Sequence, residues 1–65
     1  MVMKIDVKNV PPYAESYEWV VARNHDGELW FWGAYHDKQT AWRVAEEVGG
    51  VYLQKEMYKT LEIVW

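Results

Sequence analysis

The chain has 65 residues, with 10 acidic and 7 basic side chains, a net charge of −3 and no cysteine. One small domain over residues 1–65 is the expected unit, because a chain of this size buries only about 60% of the surface it exposes when unfolded. Disulfides and thiolate metal sites are excluded, and the acidic balance argues against nucleic acid as the main partner, since phosphate binding needs clustered Lys and Arg.

The first stretch, "MVMKIDVK", alternates. Met3, Ile5 and Val7 share one face and Lys4, Asp6 and Lys8 the other, which predicts a half-buried strand. "NVPPYAES" follows, and Pro11 and Pro12 cannot donate to a ladder, so it reads as a connector. "YEWVVARN" and "ELWFWGAY" are rich in β-branched and aromatic residues. Asp26-Gly27 lies between them and predicts a tight hairpin, with strands over 17–25 and 28–35, because a type I′ turn needs φ > 0 at both central positions. "DKQTAWRVAEEVGG" predicts a helix. Asp37 can cap its start, Gly49 its end, and Ala41, Val44, Ala45 and Val48 form an apolar stripe with Trp42 at its edge. Val51 and Leu53 read as a strand leaving the helix. Leu61, Ile63 and Trp65 read as a last strand after a turn near 56–59, although Leu53, Met57 and Leu61 also have helical spacing. The expected fold is α+β: a small antiparallel sheet, βββαββ, with one helix packed on one face.

A three-stranded sheet followed by a packed helix, over residues 17–50, resembles in topology the AP2-type and integrase-arm DNA-binding domains. Those domains present several basic residues from the sheet. Here the sheet offers Arg23, so the resemblance carries the topology and not the DNA-binding function.

The dipeptide His-Asp occurs twice, at 25–26 and 36–37. A hairpin closed at Asp26-Gly27 puts His25 at the turn and His36 at the far end, roughly 35 Å away at about 3.4 Å per residue. Two metal ligands must meet at one ion, so the two dipeptides are read as turn and cap chemistry. Ser16 has no placed histidine and acid, Gly49-Gly50 follows a helix instead of opening one, and Glu46-Glu47 lies on a wet helix face. No catalytic constellation, metal site or cofactor is expected, and the protein is read as a non-enzyme.

What stands out is five Trp and five Tyr in so short a chain. The hairpin register splits them. One face takes Glu18, Val20, Ala22, Leu29, Phe31, Gly33 and Tyr35; the other takes Trp19, Val21, Arg23, Trp30, Trp32 and Ala34. A single helix covers one face, and the small Ala41/Ala45 stripe is expected to dock on Ala22, Phe31 and Gly33. Three tryptophans would then be bare, which exceeds what a monomer usually exposes. A second copy is the preferred cover, the alternatives being the chain's own tail with Ile63 and Trp65, or a different protein or flat ligand. The expectation is therefore a homodimer joined through Trp19, Val21, Arg23, Trp30 and Trp32 that acts by binding a further, unidentified protein. A small phage or bacterial accessory inhibitor would fit this size and composition. The alternative is a binder of nucleotide-like molecules, using the tryptophans and Arg23. No apolar run reaches the ~20 residues of a membrane helix. "MVMKIDVKNV" carries charges where a signal peptide would be apolar, so the expected location is the cytoplasm, away from membranes.

Overall fold

The computed structural model describes residues 4–60, with side chains through residue 58. The element order is β1 (Ile5–Lys8), a 3-10 turn (Pro12–Ser16), β2 (Trp19–His25), β3 (Glu28–Tyr35), α1 (Lys38–Val48), β4 (Val51–Gln54), a second 3-10 turn (Lys55–Met57) and β5 (Tyr58–Thr60). This is the expected α+β fold, with βββαββ order and one helix on one face. Met3 and the predicted strand through Leu61, Ile63 and Trp65 lie outside the described residues.

Local chemistry sets the boundaries. Asp26 and Gly27 have φ of 54° and 82°, so both centres of the hairpin turn are left-handed. Gly27 N–H also donates to Asn24 Oδ1 at 3.3 Å. The Asp37 carboxylate accepts from the backbone N–H groups of Gln39 and Thr40 and from the Thr40 hydroxyl, capping α1. The hydroxyl bond, more than the amides or nearby Arg43, holds its carboxyl below the usual aspartate value. Gly49 closes the helix at φ 70°, and Gly50 N–H reaches back to the Ala45 carbonyl at 2.8 Å.

The sheet is mixed, in the order β4-β2-β3-β1-β5. β2 pairs antiparallel with β3 and β4, as expected, but β1 runs parallel to both β3 and β5. The segment 9–18 leaves β1, passes β3 and enters β2, which runs opposite to β1, so β1 and β3 come to lie side by side and parallel; Asn9 turns the chain at φ 61°. The three consecutive strands therefore do not form a simple meander.

The hairpin register holds from His25↔Glu28 to Ala22↔Phe31, then breaks. A bulge at Val21/Ala22 places Val21 opposite Gly33 and Trp19 opposite Tyr35, where an unbroken ladder would pair them with Trp32 and Ala34. The extra residue reverses the alternation beyond it. Ala34 joins the face of Phe31, and Tyr35 joins the face of Val21.

Helix placement also departs from expectation. Ala41 and Ala45 pack on Val21, with Trp19, Tyr35 and Tyr52 around them. The helix thus sits on the face assigned to the tryptophans and away from Ala22 and Phe31. The opposite face is closed by the chain itself. Val10 and Ala14, from the proline-rich crossover, are buried with Val7, Val20, Ala22, Leu53 and Tyr58, and Leu29, Phe31 and Ala34 pack against them. Gly33 is not covered by the helix: the nearest atom to a Cβ built there is the Tyr35 hydroxyl, at 2.6 Å.

Candidate functional site

Helix α1 packs on β2 and β4 and touches only part of β3. Of the five residues assigned to the contact face, this removes two. Val21 is fully buried beneath the helix, and Trp19 is half-buried against Tyr52, with their rings 5.8 Å apart and the Lys38 ammonium 6.0 Å from its ring. Arg23, Trp30 and Trp32 remain on the part of the face beyond the helix.

Two strand endings shape this part. β4 pairs with β2 only from Trp19 to Ala22, so Arg23, Asn24 and His25 extend past it. On the other side, β1 pairs Lys8 with Trp30, bringing a cation onto the same face. Sequence reasoning missed Lys8, because the parallel partnership of β1 and β3 has no local signal. The bulge had one: an isolated glycine within a strand pattern, here Gly33, marks a break in alternation.

The geometry is a row of indoles, each beside a cation. The Arg23 guanidinium lies 5.2 Å from the centroid of Trp32, whose side is open to solvent with the residue 48% exposed. The Lys8 ammonium lies 5.7 Å from the Trp30 ring and 2.8 Å from a Glu28 carboxylate oxygen. The His25 ring meets Trp30 edge-on at 6.4 Å. A guanidinium over an exposed indole contributes only about 0.5–1 kcal/mol, so the Arg23–Trp32 pair is weak as a brace. The Trp30 Nε1–H is buried and meets no hydrogen-bond acceptor among the described residues. Arg23, Asn24, His25, Trp30, Phe31 and Trp32 enclose a cleft of about 430 Å³.

The two His-Asp dipeptides are separated as the hairpin requires. His25 pairs with Glu28 at the turn, while His36 follows the last residue of β3 and stacks on Tyr17 at 4.4 Å. Among the described residues, no group of three or more His, Asp or Glu side chains could hold a metal ion. His25→Ala and His36→Ala should each change unfolding free energy by no more than about 0.5 kcal/mol, the usual range for exposed sites. Urea unfolding checks this, and loss of a bound zinc ion on either change would contradict the turn-and-cap reading.

Among the described residues, no helix is long and apolar enough to cross a membrane. No family model, curated protein or solved structure matches this chain.

Proposed function

We propose that this chain is a non-enzymatic interaction protein of the cytoplasm, which binds another protein through Arg23, Trp30 and Trp32, as a small accessory inhibitor would. The observation that carries this reading is the bare part of the helix-side face, where Trp32 is 48% exposed beneath the Arg23 guanidinium. Trp and Arg are the residues in which interface energy concentrates, and a single such anchor can contribute 2 kcal/mol or more, by the usual range of about 2–4. With Trp19 and Val21 under the helix, the bare area is a few side chains wide. That suits an anchored contact with another protein better than a sheet-on-sheet homodimer, which needs about 800 Å² per partner.

The test is affinity capture from the cell that makes the protein, with wild type and Trp32→Glu as parallel baits. A partner recovered by the wild type should fall about tenfold or more with the variant. Equal recovery by both baits would refute the assignment. The cleft beside Trp30 favours a second reading, a binder of flat anionic ligands, with Arg23 and Lys8 supplying positive charge. In that case ATP should quench tryptophan fluorescence and raise the melting temperature.

A further inference from the structure

Three cationic side chains stand at the indole row, and two of them already have a carboxylate beside them. Lys8 Nζ lies 2.8 Å from a Glu28 oxygen, and His25 Nε2 lies 3.5 Å from an Asp26 oxygen. Arg23 makes no ion pair with a described residue, although the chain carries more acids than bases. Its side chain is exposed, with the guanidinium over the Trp32 ring at 5.2 Å. A cation–π contact engages the charge and spends no hydrogen bond, so the N–H donors of Arg23 stay unmet by any described acceptor. Those donors form a planar fork that matches the two oxygens of a carboxylate. One uncompensated cation suits one negative charge. A group with several would also meet the Glu28 and Asp26 carboxylates at the turn end of the hairpin. The walls of the cleft set the rest of the ligand. Trp30, Phe31 and Trp32 line it beside Arg23, so the group next to the carboxylate is apolar.

We infer that the protein partner presents an Asp or Glu side chain to Arg23, with an apolar side chain next to it lying on the exposed indole of Trp32. This rests on the contact surface proposed above and names the chemistry which that surface selects. The two halves depend on each other. A fully exposed ion pair contributes little, because water and salt screen it. An apolar side chain seated on Trp32 keeps water from the guanidinium, and the pair then gains strength in the lower dielectric. A free carboxylate without that neighbour should not bind, and neither should an apolar segment that leaves Arg23 covered and unpaired.

A random dodecapeptide library tests this. It is panned on the wild type after depletion on Trp32→Glu, so the sequences kept are those that need the Trp32 face. They should carry Asp or Glu beside Leu, Ile, Phe or Trp well above the unselected library. Panning on Arg23→Glu should replace the acid by Lys or Arg. A synthetic peptide of the selected sequence then closes a double-mutant cycle. Changing its acid to the amide should weaken binding about tenfold or more on the wild type and less than about twofold on Arg23→Gln. Circular dichroism checks that the variants fold. If Arg23→Gln does not, Arg23→Glu carries the cycle, and the amide peptide should bind it better than the acid. Trp32-dependent peptides that lack the acid, or an acid whose loss costs the same on both proteins, overturn the inference and leave the contact surface standing. Displacement of the peptide by equimolar ATP marks a phosphate site and overturns it as well. A library that yields no Trp32-dependent sequence overturns the inference and the contact surface together.

Discussion

Gly50→Ala should lose about 3 kcal/mol or more of unfolding free energy, the upper end of what overpacking costs. A Cβ at Gly50 would stand inside contact distance of the Ala22 carbonyl oxygen and 3.1 Å from its carbon. Ala22 lies in the second strand of the sheet, fixed between β3 and β4, so this obstacle is backbone and cannot swing away. Gly49 gives the contrast. Its φ is 70°, but a Cβ there would meet nothing within 4 Å. Gly49→Ala should therefore cost only the left-handed penalty, about 1 kcal/mol. Denaturant unfolding of the two variants side by side checks the argument. Equal losses would mean that the helix does not return to the sheet as closely as Gly50 implies.

Val21→Asp should unfold the protein. Val21 is fully buried against Ala41 and Ala45, and an unpaired carboxylate there costs several kcal/mol, roughly the whole stability of a domain this small. The same substitution also tests where the helix docks. Were the helix on the face of Ala22 and Phe31, Val21 would look outward and the charge would be tolerated. A folded Val21→Asp, judged by circular dichroism and a cooperative melt, would return the helix to that face.

The hairpin and the helix were legible because their signals are local. Asp26-Gly27 dictates a turn through the backbone conformations that it permits, and Asp37 and Gly49 mark the helix ends through the groups that they cap. The choice of face was not local. Both faces of the hairpin are apolar, and Val21 and Ala22 are each a suitable seat for small helix residues. The choice follows from what covers the other face. Val10 and Ala14 do so, from a segment whose prolines mark it as a connector without showing that it carries core residues. The direction of β1 had the same origin, because the segment packed against the sheet carries the chain past β3 to β2 and leaves β1 beside β3, parallel to it. For the site, Arg23, Trp30 and Trp32 were legible from the alternation near the turn, where the register holds. Trp19 and Val21 were assigned to the right face, but the helix that covers them was assigned to the wrong one.

The proposed function depends on Arg23 and Trp32 being surface while Val21, on the same face, is core. The melting temperature of Trp32→Glu tests this most directly. A contact residue 48% exposed should tolerate the charge within about 0.5 kcal/mol, a shift of roughly 2–4 °C for a domain of this size. A variant that melts close to the wild type is the predicted result. Loss of the cooperative transition would show that Trp32 is buried in the folded protein, and it would contradict the contact surface proposed here.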